Sequence, residues 1–259
     1  AMHSAGASST SSAADAGRSD ATLDASDVFQ YCLSGAVAEV RKFLVHGGHV
    51  DTVYKSAYGW DVGADYAHAR PNDGATPLNY VATWTDVIGP PDAAALAALL
   101  LEHGADLRRD DGLDQWFTPL HNATERGAKD VVQVMLRAQP AAVDITTGDG
   151  RTPLLVLALC EDAADRMATL EVLLAHKANL HFAEPFGGNT PLHAFAAEGF
   201  AEEVERLLQA GAPTSALNES QRTPQQEAMH ALQHLDSQAG ASGTRRDGLE
   251  FTIALLSSV

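Results

Sequence analysis

Between Lys129 and Ala138 the apolar residues Val131, Val132, Met135 and Leu136 recur at i, i+1, i+4 and i+5, with Lys129, Asp130, Gln133 and Arg137 among them. That period predicts an amphipathic helix with one buried face. Val204, Leu207 and Leu208 repeat the pattern, set among Glu202, Glu205 and Arg206. A shorter apolar block precedes each stretch at the same distance and opens with Thr-Pro-Leu-His, at Thr118–His121 and Thr190–His193. The threonine suits a helix entrance, where its side chain accepts from an orphan backbone N–H. Proline at the next position loses nothing, because that N–H has no intrahelical partner. Gly127 and Gly199 each fall nine residues after the threonine, where a first helix must stop and the chain reverse. Two short antiparallel helices are therefore predicted at each place. Neither pair can bury its apolar face alone.

The same entrance recurs at Thr76-Pro77-Leu78 and Thr152-Pro153-Leu154, and Thr223-Pro224 falls in step. Successive threonines lie 42, 34, 38 and 33 residues apart. An earlier block lacks the Thr-Pro but keeps the frame, with Gly35 nine residues after Ser26 and an apolar close at Phe43-Leu44-Val45. A unit repeated at that spacing implies a stack in which each member covers its neighbour. The segments beginning at Thr118 and Thr190, which align without a gap, resemble the ankyrin repeat, a unit of about 33 residues with a turn and two helices. The resemblance covers roughly residues 25–257. It implies an all-α ankyrin-repeat solenoid of about six helix-turn-helix units with β-turn fingers. The units fall at about 26–51, 76–107, 118–144, 152–181, 190–216 and 223–257, after a Ser/Ala/Gly-rich lead over 1–22 that reads as disordered. His121 and His193 are then expected to hold the turn backbone, not to act in catalysis. In the last unit Gln225-Gln226-Glu227 replaces Leu-His, as suits an end cap, and 249–259 supplies a closing apolar helix.

Departures from the repeat locate candidate function. Residues 52–72 replace a short turn and carry Tyr54, Tyr58, Trp60, Tyr66 and His68. So aromatic a segment either seals the first repeat or forms a contact surface for a partner. Shorter insertions at 85–91, 162–169 and 236–245 read as loops between helices, set at the end of the stack away from the fingers, where insertion costs little. The finger before the third unit is two residues longer than the family pattern. By resemblance, the fingers and first helices line the concave binding face. That places Trp84, Glu125, Arg126 and Glu198 at the ends of first helices, and Arg108, Arg109, Trp116, Phe182 and Phe186 on fingers. Phe117 is expected to pack beneath its turn. With Tyr58, Trp60 and Tyr66, these are the candidate partner-binding residues.

Charge narrows the partner. Asp and Glu number 34 against 17 Lys and Arg, a formal net charge of −17, so nucleic acid is a poor partner and a basic protein a good one. The longest apolar run, nine residues from Ala93 to Leu101, is half of what a membrane span needs. Cys32 and Cys160 sit in different units and read as free buried thiols, which fits a reducing, cytoplasmic compartment. Only four lysines among abundant alanines suggest a microbial source, and an effector would be delivered into a host cell. No nucleophile elbow, phosphate loop or Cys-x-x-Cys occurs. The pairs His46/His49 and His230/His234 lack a third metal ligand in sequence. The expectation is a non-catalytic protein-binding module without cofactor or metal, serving as scaffold, as inhibitor or immunity protein, or as microbial effector. The alternative is an enzyme or enzyme-regulatory subunit with its site in 52–72.

Overall fold

The computed structural model describes residues 27–55, 73–111, 116–236 and 243–258. Unit one is α1 (Asp27–Leu33) and α2 (Val37–Val45), and unit two is α3 (Pro77–Thr83), α4 (Thr85–Ile88) and α5 (Pro90–Glu102). Unit three is α6 (Pro119–Glu125) and α7 (Lys129–Ala138). Unit four has α8 (Pro153–Val156), a 3-10 turn over Leu157–Leu159 and α9 (Ala163–Ala175). Units five and six are α10 (Pro191–Glu198) with α11 (Ala201–Gln209), and α12 (Pro224–Asp236) with α13 (Gly243–Ser257). First helices stack in the order α1, α3, α6, α8, α10, α12, and second helices in the order α2, α5, α7, α9, α11, α13. No strand occurs among the described residues. The fold is the all-α solenoid that the repeats predict.

The core runs through the stack as one apolar seam. Leu78, Leu120, Leu154 and Leu192, each the third residue of a Thr-Pro-Leu, are fully buried, as are Val131, Val132, Met135 and Leu136. The threonines act as caps. Thr76 accepts from the N–H of Asn79 at 3.3 Å, and Thr152 from that of Leu155 at 3.4 Å.

Glycine at the ninth position divides the units into two kinds. Gly35, Gly127 and Gly199 take φ of 66°, 66° and 76°, and the second helix begins within two residues. Even-numbered units carry Thr85, Glu161 and Leu232 at that position. Their second helices are longer, 13, 13 and 15 residues against 9, 10 and 9 in the odd units. The extra residues lie over the neighbouring glycine. A Cβ at Gly127 would come within 2.6 Å of Asp165 Cβ, and one at Gly199 within 2.8 Å of the Leu249 nitrogen. The expectation of loop insertions is therefore overturned. Residues 85–88 form α4, 163–169 are the first turns of α9, and the described part of 236–245 belongs to α12 and α13. At α9 the entrance is set by Asp162, which accepts from the Asp165 N–H at 2.9 Å, and Ala163, Ala164 and Ala168 favour the first turns.

Units four and five share a buried ion pair. Arg166 on α9 donates to Glu203 on α11 at 2.7 Å and to the Cys160 carbonyl at 2.8 Å, with its guanidinium 3.5 Å from the centre of the Phe200 ring. Both cysteines are free and buried. Burial pushes the Cys160 thiol up, so it stays protonated.

Candidate partner-binding surface

The fingers share one backbone closure. Thr147 N–H donates to the Arg151 carbonyl at 2.9 Å, and Gly150 N–H returns to the Thr147 carbonyl at 2.9 Å. The same two bonds join Glu184 with Asn189 and Gly188, and Asn218 with Arg222 and Gln221. They also join Tyr54 with Ala75 and Gly74. Asp111 N–H donates to the Phe117 carbonyl at 2.9 Å, two residues further along than in the finger at Thr147, so this finger has the added length that its sequence predicts. The segment between Tyr54 and Gly74 thus leaves from the tip of the first finger and returns to it. Tyr58, Trp60 and Tyr66 lie outside the described residues. Tyr54 is fully buried, its ring edge-on to Phe29 at 5.4 Å, and seals the first unit.

The closure demands positive φ at its penultimate residue, which is Gly74 (95°), Trp116 (49°), Gly150 (85°), Gly188 (69°) or Gln221 (55°). Trp116 therefore stands where three fingers have glycine. A bulky side chain there costs roughly 1–2 kcal/mol. Its indole is half exposed and lies on Gly148 of the next finger, where any Cβ would overlap the ring. On that finger's other side, Pro185 packs against Gly150. The third finger, built on Gly148 and Gly150, is thus held between Trp116 and Pro185. Phe186 is 76% exposed and Leu217 54%, so three fingers hold a large apolar side chain in solvent.

Side chains from the first helices fix the fingers. Asn79, His121 and His193 occupy the fourth position of their units. His121 accepts from Thr118 N–H at Nδ1 and donates from Nε2 to the Arg151 carbonyl at 3.0 Å. His193 does the same with Thr190 and the Arg222 carbonyl. Asn79 matches both roles, taking Thr76 N–H on Oδ1 and giving Nδ2 to the Arg109 carbonyl at 3.1 Å. Burial holds the His121 pKa down at about 4 and lowers that of His193, the carbonyl contacts opposing it. On the third finger burial raises the Asp149 pKa, but bonds from Arg151 and Thr147 outweigh it and leave the carboxyl below its usual range. Arg151 also lies 5.9 Å from the centre of the Phe117 ring, which is buried beneath its turn as expected.

The structure separates the candidate residues into two groups. Trp116 and Phe186 stand out on fingers, Arg108 is exposed and Phe182 is half-buried. Arg109 reaches the Asp51 carbonyl at 3.4 Å and so ties the second finger to the first. At the other end of the first helices lie Trp84, Glu125, Arg126 and Glu198. Trp84 is half-buried against the core and tilted towards Tyr80 at 6.5 Å. Glu125 is half-buried, Arg126 is exposed, and Glu198 pairs with Arg245 of α13 at 2.9 Å. Sequence reasoning missed the exposed Leu217. The frame signals Leu217, since it precedes a closure residue as exposed Asp110, Thr146 and Ala183 do.

Among the described residues no three His, Cys, Asp or Glu gather as a metal site, and no helix is long and apolar enough to cross a membrane. His46 Nδ1 faces the Lys42 carbonyl at 2.7 Å, and His49 Nδ1 accepts from Asp51 N–H at 3.1 Å.

The sequence pattern of the ankyrin repeat matches residues 187–219. Human (Homo sapiens) neurogenic locus notch homolog protein 4 is 40% identical over 85 residues, 33% of this chain and 4% of that protein. Mouse (Mus musculus) neurogenic locus notch homolog protein 1 is 30% identical over 162 residues, 62% of this chain and 6% of that protein. The chain thus spans only about a twentieth of the length of these relatives. The crystal structure of EF0377, an ankyrin repeat protein, superposes with a TM-score of 0.62 at 18% identity, covering 91% of this chain and 98% of that one. With capped first helices, stacked pairs and fingers closed by recurring backbone bonds, the chain has the ankyrin-repeat fold.

Proposed function

We propose that this array, a protein-interaction module by its fold, grips a protein partner along its row of fingers, with Trp116 and Phe186 as anchors. One observation carries the reading. Trp116 is held in solvent at a left-handed position where Gly74, Gly150 and Gly188 stand in other fingers. Strain retained with an exposed aromatic argues for use of that aromatic, since tryptophan dominates interface energies. Phe186 and Leu217 extend the apolar row, and the segment 56–72 leaves from the first finger of the same series. The net charge of −17 favours a basic partner, chiefly by speeding encounter. Of the roles such recognition can serve, occlusion of a basic enzyme fits this charge better than a neutral scaffold or effector function.

The test is affinity capture with the wild type and a Trp116→Ser/Phe186→Ser variant that melts at the same temperature. Losing both anchors should cost about 2 kcal/mol each, enough to remove the specific partner from the captured set. Undiminished capture of that partner would move the interface off the fingers.

A further inference from the structure

Units three and five align residue for residue across the turn between their helices, Gly127-Ala128-Lys129-Asp130-Val131 against Gly199-Phe200-Ala201-Glu202-Glu203. At unit five the turn is filled from within. The Phe200 ring lies under the Arg166 guanidinium of the preceding unit, and Glu203 completes the ion pair. At unit three the counterparts of Phe200 and Glu203 are Ala128 and Val131. Ala93, one residue after Asp92 as Arg166 is after Asp165, stands in for Arg166, because Asp92 and Asp165 each press on the glycine of the unit before. What remains beside Ala128 is a cleft of about 150 Å³. Thr85 and Pro90 wall it on one side and Asp165 on the other, with Gly127, Ala128 and Val131 between. A cavity of about that volume admits a benzene ring.

We propose that this cleft receives an aromatic side chain of a protein partner, carried on a basic segment. The chain's own Phe200 shows what shape the site takes in its filled form. A cation is excluded from the base, because Val131 replaces the carboxylate that neutralises Arg166 at unit five. Positive charge belongs instead at the lip. There Asp86, Asp130 and Asp165, with Asp162 one turn before, outnumber Arg126 and Lys129, and no ion pair among the described residues engages these six. An aromatic flanked by lysines matches an apolar floor and an acidic rim. The inference rests on the reading of the array as a protein-interaction module. It concerns the end of the stack opposite the fingers, so the two can fail separately.

The test needs no partner. The probes are the capped tripeptides Lys-Phe-Lys and Lys-Ala-Lys, titrated into the ¹⁵N-labelled chain at low salt. Lys-Phe-Lys should produce saturable shifts centred on Ala128 and Val131, and Lys-Ala-Lys should bind at least tenfold more weakly. Ala128→Phe, which supplies the ring from within, should weaken Lys-Phe-Lys at least tenfold. Asp130→Asn/Asp165→Asn should weaken both peptides several-fold. Equal binding of the two peptides, shifts centred elsewhere, or no saturable shift in the wild type would overturn the proposal. So would unaltered binding by a folded Ala128→Phe. If that variant does not fold, the wild-type comparison decides alone.

Discussion

His121 offers a stability change whose sign and size follow from its surroundings. The imidazole is fully buried, accepts from the backbone at the entrance of its own helix and donates to the carbonyl of the next finger. The bond accepted at Nδ1 requires the neutral ring, because a protonated imidazole only donates. Burial depresses its pKa from the ordinary 6.5 to about 4. Between those values the unfolded chain binds more protons than the folded one, so stability must rise with pH across the window. The contribution is complete above pH 6.5 and is lost as pH falls to about 4. A shift of 2.5 units at about 1.4 kcal/mol each amounts to about 3 kcal/mol. About 2 kcal/mol of it should vanish between pH 7 and 5, above the range in which ordinary carboxylates titrate. Unit two supplies the control, since Asn79 makes the same two bonds with an amide that does not titrate. His121→Asn should retain most of the stability at pH 7 and lose much of its dependence between pH 7 and 5, His193 accounting for part of the remainder. His121→Ala leaves the buried Thr118 N–H unpaired and removes one of the bonds to the Arg151 carbonyl, which keeps the Thr147 N–H, and should cost about 1–3 kcal/mol at pH 7. Urea unfolding at pH 7, 6 and 5 reads all three proteins. If His121→Asn is as damaging as His121→Ala, or declines with pH as steeply as the wild type, the clamp does not act through these two bonds.

Four further outcomes are expected. Gly148→Val should displace the Trp116 indole, seen as a red shift and easier quenching of tryptophan emission against Trp116→Phe; an unchanged spectrum contradicts the contact. Arg166→Ala strands Glu203 in the core and should cost about 3–5 kcal/mol by urea unfolding, whereas Arg166→Met/Glu203→Leu should fall near the wild type; equal costs would contradict a desolvation origin. Gly127→Ala adds a Cβ at φ of 66°, within 2.6 Å of Asp165, and should cost more than about 1 kcal/mol; no loss would mean that α9 yields freely there. Removing residues 247–259 uncovers the apolar faces of α10, α11 and α12 and should lower Tm; an unchanged Tm would show that α13 is not the closing element.

Local signals carried most of the architecture. Thr118 with Pro119, and Thr190 with Pro191, mark helix entrances because caps depend on a few adjacent residues, and Gly127 and Gly199 mark the reversals because positive φ penalises other side chains. The helical state of 85–88 and 163–169 was not legible, since these segments match no repeat template. The binding surface was legible in part. Trp116 and Phe186 stand out as exposed aromatics, but the closure that forces Trp116 into a left-handed conformation joins residues across an irregular loop. Trp84 shows the converse: a tryptophan at a concave position is drawn partly into the core by Tyr80. The cleft at Ala128 appears only when two units are compared in space, because it is a volume left by three small residues from two repeats.

The central claim is that the fingers touch the partner, and photo-crosslinking tests it most directly. A photoreactive phenylalanine analogue placed at Phe186, and separately at Arg137 on the exposed face of α7, is irradiated in the presence of the captured partner. A covalent adduct from position 186 and none from 137 is the expected result. Adducts from 137 with none from 186 would contradict the account.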